Sequence, residues 1–130
     1  MVVGLHPVNL ANKWLDMLRA VAFTAPAALY VKLHLGDPGG AATTTPSTNT
    51  TRVVMTLAAA AAGVVSLTGT QPSWSSWANG NETISHLSVW DNLTVGNFLL
   101  SAALTTPKAV TNGDTLTVTS FQVSLAPLAA

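Results

Sequence analysis

The chain has 130 residues, 48% hydrophobic and only 8% charged, against about 25% charged residues in a typical soluble domain. That length holds one domain with a real core and is too short for two. Five basic and five acidic side chains give a formal net charge of +0; with no cluster of Lys and Arg to displace counterions, nucleic acid and anionic membrane surfaces are excluded as partners.

In chain order, the first element is an amphipathic helix over residues 9–22. Asn9 stands where an N-cap is wanted. Leu10, Trp14, Met17, Leu18 and Val21 follow at i+4, i+7, i+8 and i+11, one apolar stripe, while Asn12, Lys13, Asp16 and Arg19 fall largely elsewhere. Thr24-Ala25-Pro26 ends the helix. Such a stripe must be buried on a sheet or on a neighbouring subunit, so these five residues are the candidate assembly interface. The opening residues lack a basic stretch followed by a continuous apolar run, so no signal peptide is read there.

Residues 29–35 alternate as a half-buried strand, with Val31, Leu33 and Leu35 opposite Tyr30, Lys32 and His34. Gly36-Asp37-Pro38-Gly39-Gly40 stops it sharply. Residues 41–51 are small, polar and threonine-rich, a loop expected to be mobile. Val53, Met55 and Leu57 resume alternation. Residues 58–62, all alanine, read as strand or bulged strand, and residues 64–68 as strand. The whole apolar window, 53–67, is shorter than the roughly 18–20 residues a membrane span needs, so no membrane insertion is expected.

Trp74 and Trp77 lie in a turn-rich segment. Residues 82–90 form a strand, with Leu87 and Val89 facing opposite to Ile84, His86 and Trp90. Residues 91–97 make a hairpin-like connection, and Phe98, Leu100, Ala102 and Leu104 alternate until Thr105-Thr106-Pro107 closes the strand. Asn112-Gly113 is a turn signal. The last strand begins on Leu116 and Val118 and changes phase to Phe121, Val123 and Leu125, as a bulge near Thr119 and Ser120 would produce. Strands at this spacing give a mainly β fold: an antiparallel, jelly-roll-like β-sandwich over 29–130, preceded by an arm and helix over 1–28.

Chemistry-bearing residues are sparse. With no cysteine, disulfides and thiolate metal sites are excluded. His6, His34 and His86 show no metal-ligand spacing, and no cofactor is called for. Glu82 and Asp91 bracket one strand and would lie roughly 30 Å apart, too far for a glycosidase pair. Asp37, Asp91 and Asp114 sit beside turn residues, where Asp commonly bonds local backbone. Trp74, Trp77 and Trp90 are the candidate platform for glycan rings; the alternative is core plugs or interface anchors, where tryptophan is enriched.

Several of these segments also carry a resemblance. Leu33, His34, Gly36, Asp37, Pro38 and Gly39 form a Leu-His-x-Gly-Asp-Pro-Gly strand end. Ile84, His86, Trp90 and Asp91 form an Ile-x-His-x-x-x-Trp-Asp strand. Leu104, Thr105, Pro107, Lys108, Val110, Gly113 and Asp114 form a third run. In this order, across nearly the whole chain, they resemble the small tail-fibre or minor tail proteins of bacteriophages infecting actinobacteria. The alanine run at 58–62 departs from that pattern.

The resemblance implies a non-enzymatic virion component, assembled in the host cytoplasm. Its partners would be copies of itself, with a trimer expected by analogy with other virion spikes, and other tail or capsid subunits. A capsid decoration protein is the alternative within the virion; a carbohydrate-binding module for host surface glycans is the alternative outside that class.

Overall fold

The computed structural model describes residues 3–125. Gly4, Leu5 and His6 run antiparallel to the start of β6 (Phe98–Val110), with the His6 amide on the Leu99 carbonyl at 2.7 Å and the Ser101 amide on the Gly4 carbonyl at 2.9 Å. The N-terminal arm is thereby laced to the sheet before the helix begins.

The helix occupies residues 7–19, displaced from the expected 9–22. Pro7 pre-sets the first turn, and His6, not Asn9, is the cap: its Nδ1 accepts the Asn9 amide at 3.1 Å. Asn9 instead spends its side chain on the Phe98 carbonyl, 2.8 Å away. A wide turn over Pro7–Ala11 leads into a regular turn over Asn12–Asp16 and a tight one over Met17–Arg19. It stops well before Pro26, because Ala20 adopts a left-handed φ of 60°. The Val21 amide then bonds the Asp16 carbonyl and the Ala20 amide the Met17 carbonyl, the paired bonds of a Schellman cap.

The fold is mainly β. Six strands form one curled antiparallel sheet in the order β6-β5-β1-β2-β3-β8, with β1 at Leu29–His34, β2 at Val53–Leu57, β3 at Val64–Thr68, β5 at Glu82–Trp90 and β8 at Gln122–Ser124. A two-stranded ribbon, β4 (Ser73–Trp74) with β7 (Leu116–Thr117), closes one end of the concave face.

Four local readings change. Residues 58–63 are the β2–β3 connection, not strand. Ala62 and Gly63 take φ of 49° and 76°, and Ala61 and Val64 exchange backbone bonds at 2.9 Å, the sign pattern of a type I′ hairpin turn. Ile84 shares the core with Leu87 and Val89 because the β5–β6 ladder slips between Ile84 and His86. Pro107 does not close β6: it lies within that slip, where no ladder bond needs its missing N–H, and Lys108–Val110 pairs again with β5. The phase change near Thr119 is a change of sheet rather than a bulge, since β7 pairs with β4 whereas β8 pairs with β3.

The core fills the concave face. Val31, Leu33, Met55, Leu87 and Val89 supply its floor, Leu10 and Trp14 of the helix cover one end, and Trp74, Trp77 and Leu116 cover the other. The 41–51 loop, expected to be mobile, is tied down. Leu35 and Ser47 amides bond the Thr45 and Leu33 carbonyls across the loop's base, and Ser47 and Thr48 hold the Glu82 carboxylate with three bonds of 2.6–2.9 Å. Partial burial acts to raise Glu82, but the Ser47 hydroxyl and the Thr48 amide and hydroxyl outweigh it and hold the carboxyl below its ordinary value.

Candidate functional site

The convex face of β1 and β5 carries the polar chemistry. Alternation places Tyr30, Lys32 and His34 beside Trp90, Ser88 and His86, each pair in register. His34 is fully buried; its ring nitrogens stand 3.0 Å from the Thr44 carbonyl and 2.8 Å from Ser88 Oγ. Since the carbonyl can only accept, Nδ1 donates and Nε2 accepts from the Ser88 hydroxyl. Ser88 Oγ in turn accepts the Trp90 indole N–H at 2.8 Å. Burial first, then the Lys32 and His86 charges, push the His34 imidazole below its ordinary value, against the opposing pull of the Thr44 carbonyl.

From Trp90 a row of rings runs to the helix. Trp90 and Phe98 lie 5.7 Å apart, and Phe98 meets His6 edge-on at 5.6 Å. Trp90 is also covered by Arg52, whose guanidinium carbon is 3.8 Å from the ring centre. Arg52 Nη1 also donates to the carbonyls of Asn92 (2.8 Å) and Val95 (2.7 Å) in the β5–β6 loop. That loop is shaped by Asp91, which accepts the Asn97 amide and side-chain N–H at 2.7 and 2.8 Å. It also needs Gly96, at φ 91°, where a Cβ would press within 2.6 Å of Asn92 Cβ. A cleft of about 440 Å³ lies beside Arg52, lined by Lys32, Thr50, Thr51, Leu93 and Thr94.

The tryptophan platform is not assembled. Trp74 and Trp77 are 4% and 2% exposed, and their indole N–H groups are spent on the Thr51 and Gly80 carbonyls at 2.9 and 3.0 Å. They are core plugs: both belong to the buried cluster that closes that end, with Leu116 of the ribbon packed against it. Trp90 is half-buried, with one face under Arg52.

The helix stripe divides. Leu10 and Trp14 pack on the core, bordering an apolar hollow of about 240 Å³ shared with Leu29, Met55, Val89 and Phe121. Met17 (60% exposed), Leu18 (87% exposed) and Val21 face outward, joined by Leu15 and Val8. The wide first turn and tight last turn break the single phase on which the five-residue stripe depended.

The histidines are apart in sequence, yet His34 and His86 are cross-strand neighbours. Both His34 nitrogens are already engaged, and among the described residues no group of three metal-ligating side chains converges. Arg52, Lys32 and Phe98 were not singled out as site residues; a cation opening a strand after a polar loop is too common a pattern to signal stacking on a distant tryptophan. Among the described residues no helix is long and apolar enough to cross a membrane.

No curated protein matches the chain. A family model described as podophage GP4 fiber I protein gp80 matches residues 8–126, in keeping with the tail-fibre resemblance carried by the His34, Trp90 and Pro107 segments. Because the match runs from the first turn of the helix past the end of β8, taking in the whole sheet and ribbon, this chain belongs to the podophage GP4 fiber I protein gp80 family.

Proposed function

We propose that this chain is a non-enzymatic structural subunit of a bacteriophage fibre, carried on the tail and assembled from copies of itself. The observation that carries the reading is the family match over residues 8–126. The chemistry of the chain supports it. A chain with only 8% charged residues suits repeated packing, since interface cores are depleted of charge. Leu15, Met17 and Leu18, all exposed on the helix, are the surface a second copy would cover. A trimer is proposed by analogy with other virion spikes, and an actinobacterial host by the motif resemblance around His34, Trp90 and Pro107.

Two measurements test this. Gold label on a C-terminal tag should decorate the tail or its fibres in electron micrographs; label over the capsid shell would overturn the tail assignment in favour of a decoration protein. Light scattering should give a mass about three times the 13.4 kDa chain. Leu18→Asp should return it to monomer with an unchanged circular dichroism spectrum, because Leu18 touches little of its own chain. A monomeric wild type would sink the self-assembly.

A further inference from the structure

The charges of this protein are unevenly satisfied. Each of the five carboxylates is held within the chain. Asp16 pairs with Arg19 at 2.9 Å, and Asp37 accepts the Gly39 amide at 2.9 Å. Glu82 is bound by Ser47 and Thr48, Asp91 by Asn97, and Asp114 by the Thr111 amide at 2.8 Å. Among the described residues Arg19 is the one cation in an ion pair, and Arg52 bonds carbonyl oxygens rather than a carboxylate. Lys32 and Arg52 share the cleft beside the β5–β6 loop.

Arg52 is prepared for a ligand. Stacking on Trp90 and the two carbonyl bonds from Nη1 fix the guanidinium plane, while Nε and Nη2 make no hydrogen bond to the described residues. A fixed fork loses little conformational entropy on binding an oxyanion. Lys32 is rooted in the middle of β1, and its ammonium is held below its ordinary value, first by burial and then by the Arg52 charge. An anion between the two would relieve that repulsion.

We propose that the Lys32–Arg52 cleft binds the carboxylate or phosphate of an acidic carbohydrate. The space, about 440 Å³, falls in the range of about 300–1,000 Å³ typical of small-molecule sites and exceeds what a bare ion needs. Thr50, Thr51 and Thr94 offer hydroxyls to a polyol, and Leu93, 50% exposed, offers an apolar wall. A second copy of this chain is the poorer partner, since among the described residues Asp37, Glu82, Asp91 and Asp114 are bonded within their own loops and Asp16 pairs with Arg19. The proposal is independent of where on a virion the chain sits.

The test is an amide chemical-shift titration of the full chain with glucuronate, glycerol 1-phosphate and, as the uncharged control, glucose. Glucuronate or glycerol 1-phosphate should shift residues 50–52 and 93–94, more weakly at high salt, and glucose should not. Response to glucuronate alone assigns a carboxylate, to glycerol 1-phosphate alone a phosphate ester. Lys32→Gln should weaken binding by about tenfold, and Arg52→Lys, which keeps the charge but loses the fork, should also weaken it. Lys108→Gln, remote and exposed, should change nothing. No shift beyond that of glucose, or undiminished binding in a folded Lys32→Gln protein, overturns the proposal.

Discussion

At the scale of single residues, the ionisation of His34 bears directly on the fold. Its hydrogen bonds form a directed chain, from the Trp90 N–H to Ser88 Oγ, from the Ser88 hydroxyl to Nε2, and from Nδ1–H to the Thr44 carbonyl. Protonating Nε2 turns that acceptor into a donor and leaves the Ser88 hydrogen without its partner. The folded-state value is lowered from 6.5, so below pH 6.5 the unfolded chain binds more protons than the folded one. The stability contributed by neutral His34 is complete above pH 6.5 and is lost as pH falls from there toward the lowered folded value. Urea midpoints measured between pH 7.5 and 5.5 should therefore fall with acidity. His34→Gln should be less stable at the top of that range yet show a flatter profile; parallel profiles would mean that the imidazole is not responsible. None of this was legible in the sequence beyond a polar residue on a strand, because the lid over His34 comes from residues 44–47, folded back across the end of β1.

At the scale of elements, the helix shows what periodicity delivers and what it misses. The spacing of Leu10 and Trp14 identified the buried side correctly. The stripe failed beyond Trp14 because spacing assumes a uniform 3.6-residue turn, and this helix changes pitch twice. Its stop was also hidden: the sequence advertises Pro26, whereas the chain turns on Ala20. A left-handed alanine costs roughly 1–2 kcal/mol, and glycine there would avoid that strain while losing some unfolded-state restriction. Ala20→Gly should raise stability by about 0.5 kcal/mol, seen as a higher denaturant midpoint with an unchanged slope. A fall in midpoint would mean that the alanine methyl packs usefully. The β2–β3 turn repeats the lesson with Ala62 and Gly63, where a run of alanines concealed a hairpin whose only overt signal was the glycine.

At the scale of the whole molecule, stability rests on how the two ends of the curled sheet are sealed. The helix closes one end and the ribbon with its tryptophans the other. Trp77 has its N–H on Gly80 and its backbone bonded to Gly113 and Asp114, so it joins the core to two turns at once. Trp77→Ala should cost about 3–5 kcal/mol, a large share of the 5–15 kcal/mol that holds a typical domain together. Thermal melts should show the loss directly; a melt near that of wild type would mean that the ribbon closes without it. Legible in the chain's local pattern were the mainly β class, most strand positions, the loop at 91–97 and, to within one residue, the sharp stop of β1, which ends at His34. Those features depend on alternation, glycine, proline and Asx chemistry acting over a few residues. The tertiary structure alone decided that β7 and β8 belong to different sheets, that Trp74 and Trp77 face inward, and that Arg52 meets Trp90 beside Lys32. Each of those depends on pairing between strands far apart in the chain, and local pattern carries no information about which strand lies next to which.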